Sequence, residues 1–249
     1  MKHGVVEDKL FMPGPTRLRL VRESGFLGRI VGFKLEFGYW IFTHPEGPLQ
    51  RPSWNYRKGE GGGLILDMYP HWRYLAEGIL GPIRRVVSAA WTALPDRIDE
   101  QGRPYRVDTD DSNATLVELE SGAFGTITSS WANRPKRTDL MTFQVDGSEG
   151  SAVAGIHRCH VQSLADTPRA HFDPNVDHGR DYDEEWKEAP FSPPFTNGYR
   201  MGWEAFIRHV VAGQPLVADL RAGLRDVALA KACLASVEEG AWVPMNRFV

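Results

Sequence analysis

Between Ile83 and Leu164 the chain sets one extended stretch after another with no helix between them, and that order leaves few folds open. Residues 83–94, 114–120, 123–131, 140–146 and 151–164 read as strands, rich in β-branched and aromatic side chains and bounded by polar or glycine-containing segments. Ser121-Gly122 is a tight hairpin signal, and Gly147-Ser148 marks a further turn. Parallel neighbours need a crossover of a dozen residues or more, so strands that follow one another this closely pair as an antiparallel meander. Along residues 123–131 one face carries Ala123, Gly125, Ile127, Ser129 and Trp131, and the other Phe124, Thr126, Thr128 and Ser130. One face is expected to cover helices and the other to be free to meet a second subunit.

Helical periodicity flanks the meander. Residues 3–6 read as a short apolar strand and residues 15–24 as a helix with proline in its first turn, closed by Gly25 and Gly28. Residues 30–42 alternate, Val31, Phe33, Leu35 and Phe37 against Gly32, Lys34 and Glu36, as a half-buried strand does. Residues 43–60 form a loop rich in proline, glycine and charge that holds Trp54-Asn55-Tyr56-Arg57-Lys58. A helix over residues 64–80 ends at Gly81-Pro82, and Pro70 is expected to kink it or break its first turn. Residues 166–197 are a polar excursion, residues 200–212 and 221–238 two further helices, and residues 242–244 an edge strand. The fold class is α+β.

Composition narrows the function. With 249 residues and 42% hydrophobic content the chain can bury a sizeable core. A formal charge of -3 and the lack of any Lys/Arg run make nucleic acid a poor partner. No apolar run approaches the roughly 18 residues that span a bilayer, and the first residues carry no signal-peptide core, so a cytoplasmic protein is expected. Cys159 and Cys233 read as free thiols in a reducing compartment. His157-x-Cys159-His160 falls short of the four ligands of a structural zinc, and no metal is expected.

The chemistry gathers at Gly61-Gly62-Gly63-Leu64-Ile65-Leu66-Asp67-Met68-Tyr69-Pro70-His71. A four-residue spacing on a helix puts Asp67 and His71 on one face, roughly 6 Å apart along the axis. An imidazole titrates near neutrality, so His71 can take a hydroxyl proton while Asp67 orients the ring and favours its charged form.

The run Ser24-Gly25-Phe26-Leu27-Gly28-Arg29-Ile30, then Trp54, Gly61-Gly62-Gly63, Asp67, His71 and residues 219–236 resembles the glucose-fructose oxidoreductase / inositol dehydrogenase (Gfo/Idh/MocA) superfamily. The resemblance implies a C-terminal domain on a large open, mainly antiparallel sheet with helices on one face. It implies hydride transfer between NAD or NADP and a sugar, cyclitol or related polyol. Asp67 and His71 match the family's catalytic pair, the glycines the wall facing the nicotinamide, and Trp54, Tyr56, Arg57, Lys58 and Trp72 become candidates for holding the substrate. A homodimer or homotetramer through the open sheet face is implied as well.

The chain departs from the family in having neither a Gly-x-Gly-x-x-Gly fingerprint nor a Glu-Lys-Pro motif. Residues 1–27 are accordingly expected to be the last strand and helix of a dinucleotide-binding domain that is mostly missing, with residues 28–249 the substrate-binding domain. The cofactor is then bound mainly by the missing part, and the 249 residues alone are expected to be inactive. A non-catalytic sugar-binding or dimerisation module is the alternative. Where the family has Asp-Leu-Gly-Val-His-x-x-Asp, this chain has Tyr69, Pro70 and Tyr74 at the third, fourth and last positions.

Overall fold

The structure, a computed structural model, describes residues 1–47, 50–170, 173–175, 181–191 and 197–249. Its strands are β1 (Ile30–Gly38), β2 (Ile83–Trp91), β3 (Asp96–Ile98), β4 (Pro104–Arg106), β5 (Ser112–Leu119), β6 (Phe124–Ser130), β7 (Met141–Gly147), β8 (Gly150–Ala154), β9 (Cys159–Ser163), β10 (Lys187–Glu188) and β11 (Val243–Pro244). The helices are α1 (Pro13–Glu23), α2 (Leu64–Leu80), α3 (Gly198–Ala212) and α4 (Leu220–Glu239). Among the described residues, nine strands form one open sheet in the order β10-β9-β8-β7-β1-β6-β5-β2-β11, while β3 and β4 pair apart from it. Every neighbour in the large sheet is antiparallel except β1 and β6. The α+β class with a mainly antiparallel sheet stands.

The alternation of β6 decides which face is which. Ala123, Gly125, Ile127, Ser129 and Trp131 are buried beneath the helices, whereas Phe124 and Thr126 are exposed on the bare face. On the covered face α2 packs over β6, β5 and β2, α4 packs against α2 and over β2 and β11 at one edge, and α1 packs over β8 and β9, placing Leu18 and Val21 in the same core as Leu35, Phe143 and Trp72.

Two polar anchors set the rotation of α2 on the sheet. Tyr69 Oη donates to Asn113 Oδ1 at 2.8 Å, and Trp72 Nε1 donates to Ser129 Oγ at 3.0 Å. Buried hydroxyl and indole groups need such partners, and a helix rolled out of place would lose both. With Met68, Tyr69 and Trp72 turned down, Asp67, Pro70 and His71 come up on the half-buried side.

Several expectations are corrected. Residues 3–6 form no strand; Val5 N–H makes a single hydrogen bond to the Ala218 carbonyl, 2.8 Å long. α2 runs unbroken through Pro70, because a proline in the second turn withdraws one donor, leaving the rest of the ladder to hold. Residues 151–164 fold as two strands, β8 and β9, with Gly155 N–H bonded to Arg158 O across the turn between them. The polar stretch 166–197 lies partly outside the described residues, and β10 within it adds an edge strand.

Candidate active site

The glycine run opens α2 for steric reasons. Gly61 and Gly63 have φ of 81° and 123°, where a side chain is strained, and a Cβ on Gly62 would come within 2.5 Å of the Trp54 carbonyl oxygen. The helix has no cap from its own chain direction. Asp110, on the approach to β5, takes that part: its backbone carbonyl accepts from Leu64 N–H at 3.0 Å and its carboxylate from Ile65 N–H at 2.9 Å. A carboxylate bonded to orphan N–H groups at a helix start stabilises that first turn. The first turn is thus tied to β5, and Asp67 follows directly.

Asp67 and His71 share the half-buried face, as the spacing requires, but their partners differ from the expected mutual pair. Asp67 Oδ2 accepts from Arg51 Nη2 at 2.6 Å, and Arg51 Nε donates to Asn55 Oδ1 at 2.5 Å with its guanidinium 4.5 Å over the Trp131 ring. His71 Nδ1 lies 2.8 Å from Tyr74 Oη, which in turn donates to Asp8 Oδ1 at 3.1 Å. The ring is therefore oriented by Tyr74 and Asp8, and Asp67 is oriented by Arg51. Asp8 Oδ1 also lies 3.4 Å from Lys9 Nζ.

Burial, with the charges around it, reverses the expected direction of the His71 titration. Burial pushes the imidazole down to about 4, the positive charges of Lys9 and Arg51 push the same way, and Asp8 only partly opposes them. Burial likewise lowers the Lys9 ammonium and raises the Asp67 carboxyl, the latter against the pull of Arg51 and Lys9. At neutral pH His71 is an uncharged imidazole.

This has a consequence for stability. From pH 6.5 down to about 4 the unfolded chain protonates its histidine while the folded one does not, so acidification withdraws stability, up to about 3 kcal/mol at the lower limit. Glu7 acts oppositely: burial raises it to about 7, and its contribution is lost as pH rises from 4.5 through 7. The two slopes flatten each other. His71→Gln is expected to gain stability relative to the wild type on going from pH 7 to pH 4.5, read by urea unfolding at both; a pH-independent difference would contradict the depressed titration.

A cleft of about 150 Å³ opens beside Asp67, walled by Trp54, Asn55, Gly61, Gly62, Gly63, Leu66, Asp67 and Trp131. Asn55 Nδ2 and Trp131 Nε1 are buried and have no hydrogen-bond partner among the described residues. Unmet buried donors are costly. A larger groove of about 250 Å³ between residues 4–11, α3 and residues 215–218 is walled largely by Val5, Phe11, Trp203, Phe206 and Leu216 and is apolar.

The other candidates divide. Trp54 is half exposed at the mouth of the cleft. Tyr56 is fully buried, edge-on to Trp131 and 3.8 Å beneath the Arg97 guanidinium. Trp72 is fully buried under α2 against Phe37. Arg57 is engaged with Glu60 at 3.0 Å and Lys58 is exposed. Arg51, Asn55 and Trp131 on the Asp67 side, and Asp8, Lys9 and Tyr74 on the His71 side, surround the pair without being candidates in the sequence.

A family profile described as the GFO/IDH/MocA C-terminal domain matches residues 16–153. A D-xylose dehydrogenase of Paenarthrobacter nicotinovorans is 42% identical over 240 residues, which are 95% of this chain and 62% of that protein. A levoglucosan dehydrogenase of Pseudarthrobacter phenanthrenivorans is 27% identical over 150 residues, 55% of this chain and 37% of the relative. Among solved structures, the apo form of a levoglucosan dehydrogenase superposes with a TM-score of 0.78 at 21% identity, over 98% of this chain and 66% of that one. Its complex with NADH and L-sorbose gives 0.77 at 20% identity, with the same coverage. The structural matches speak for the fold, and the chain spans 62% of the length of the xylose dehydrogenase.

Proposed function

The chain belongs to the Gfo/Idh/MocA family, and from that premise we propose that it is the substrate-binding and proton-handling part of an NAD(P)-dependent sugar dehydrogenase. The observation that carries the reading is Asp67 and His71 raised on one face of α2, with Asp67 lining a cleft that the glycine run and Trp54 wall. The 42% identity to a D-xylose dehydrogenase supports an aldose or a related polyol as the substrate class.

In the oxidative direction a bound nicotinamide would supply the acceptor for the hydride of the alcohol carbon, and the hydroxyl proton must go elsewhere. His71, neutral at pH 7, has a lone pair to take it. As the proton leaves, negative charge develops on the substrate oxygen, and the positive charges of Lys9 and Arg51, which are felt at His71, would favour it. Asp67, held by Arg51 and left with further lone pairs, accepts from a neighbouring hydroxyl. The Trp54 ring, half exposed at the cleft, offers a stacking face to the sugar. Gly61, Gly62 and Gly63 present bare backbone to the cleft, which fits a flat ring lying close beside Asp67.

The test is an assay of D-xylose and levoglucosan with NAD and NADP, using the chain joined to the part of the Paenarthrobacter xylose dehydrogenase it does not match. Turnover of at least one sugar is expected. The 249 residues carry no Gly-x-Gly-x-x-Gly turn for a pyrophosphate, so by themselves they are expected to show neither turnover nor saturable quenching of NADH fluorescence. Tight saturable quenching would contradict this assignment of roles.

The bare face of the sheet carries Trp91, Leu116 and Phe124, each more than a third exposed, and a second copy of the chain is proposed to cover it. Phe124→Lys is expected to shift the species seen by light scattering toward the monomer, whereas an unchanged mass would count against this face.

A further inference from the structure

The proton bookkeeping around Tyr74 fixes a detail of His71 that no family motif specifies. Tyr74 Oη has one proton and two lone pairs, and it meets three partners: Lys9 N–H at 3.3 Å, Asp8 Oδ1 at 3.1 Å and His71 Nδ1 at 2.8 Å. Lys9 N–H can only donate. Asp8, paired with the Lys9 ammonium at 3.4 Å, can only accept. The single phenol proton is therefore committed to Asp8, and Oη faces His71 with a lone pair. The ring nitrogen that meets it must carry hydrogen.

We propose that Asp8 and Tyr74 are positioning residues that hold His71 as the Nδ1–H tautomer and leave Nε2 bare as its proton-accepting atom. The geometry carries this by itself. Asp8 is 5% exposed and Tyr74 1% exposed, so water does not compete for either contact. Burial also raises the Tyr74 phenol, which keeps its proton in place. Glu7, next to Asp8, is pinned to α2 by Arg73 at 2.6 Å, so the segment that supplies the carboxylate is fixed to the helix that supplies the ring. The pattern also explains a departure in sequence: where the family's motif ends in an acid, this chain has Tyr74, and the carboxylate returns from Asp8, one hydroxyl further away.

The proposal deepens the active-site reading, yet its test does not depend on activity. In the 249-residue chain labelled with 15N-histidine, long-range 1H–15N spectra at pH 7 report which ring nitrogen is protonated, and His71 is assigned by its absence from His71→Gln. The expected result is a protonated Nδ1 and a bare Nε2. In Tyr74→Phe the Nδ1–H loses its acceptor, and the ratio of the two tautomers is expected to move about fivefold to tenfold toward Nε2–H, the worth of one hydrogen bond. Asp8→Asn, which can present an amide N–H to Oη and release the phenol proton toward the ring, is expected to move it the same way while the remaining amide resonances stay in place. A protonated Nε2 in the wild type overturns the proposal. An unchanged tautomer in both variants overturns it too. Either result would leave open whether the chain serves a dehydrogenase, just as a failed sugar assay would leave the tautomer standing.

Discussion

His71→Gln, in the chain joined to the unmatched part of the xylose dehydrogenase, is expected to lower kcat by about 10²- to 10⁴-fold while KM changes by much less. Glutamine keeps a polar side chain at the position but has no lone pair basic enough to take the hydroxyl proton. The loss then falls on the step in which the proton moves, and steady-state kinetics with a saturating sugar reads it directly. The remaining rate comes from alignment of the reactants, which is a separate and larger contribution in general. A kcat within a factor of three of the wild type would remove His71 from the chemistry.

Arg73→Leu is expected to destabilise the chain by about 3–5 kcal/mol at pH 7, measured by urea unfolding. Arg73 lies under α2, 7% exposed, and its guanidinium reaches Glu7 at 2.6 Å, Asp226 at 2.5 Å and Glu77 at 3.6 Å. Arg225 meets Glu77 from the α4 side, so three carboxylates share two cations. One carboxylate is in excess, and burial raises both Glu7, to about 7, and Asp226. Removing Arg73 strands Glu7 and Asp226 in a buried site, which raises both further. A folded-state value raised above the unfolded one gives up its stability as pH rises, so the deficit of Arg73→Leu should shrink on acidification. A loss below about 1 kcal/mol would mean that the network is solvated. The cluster matters to the site because it anchors the segment carrying Asp8 and Lys9 against α2.

Legibility in the sequence followed the range of the interactions concerned. α2 was readable to its ends, since Leu64, Met68, Leu75 and Ile79 recur at helical spacing and Gly81-Pro82 stops them. β5, β6 and β7 were readable within two residues because alternation is a local property. The β8 to β9 turn was not, as Gly155 is its single turn-forming residue within a run of otherwise strand-like character. β3 and β4 are three residues each and carry Asp96, Arg97 and Arg106, too short and too charged to show a period. In the site, Asp67 and His71 announce themselves by spacing. Tyr74 stands three residues after His71, a spacing that permits contact, and it registered only as a departure from a family pattern. Asp8, Arg51 and Trp131 come from 16 to 64 residues away from Asp67 along the chain, and only the packing of α2 on the sheet brings them to it.

In the proposed function α2 presents a proton-handling wall to a sugar whose hydride would pass to a bound nicotinamide. Mass spectrometry of the cofactor after turnover by the joined chain, with NAD and a fully carbon-deuterated aldose in ordinary water, tests it most directly. Reduced nicotinamide carrying one deuterium is the expected product. Sugar consumed without deuterium reaching the nicotinamide would contradict the account.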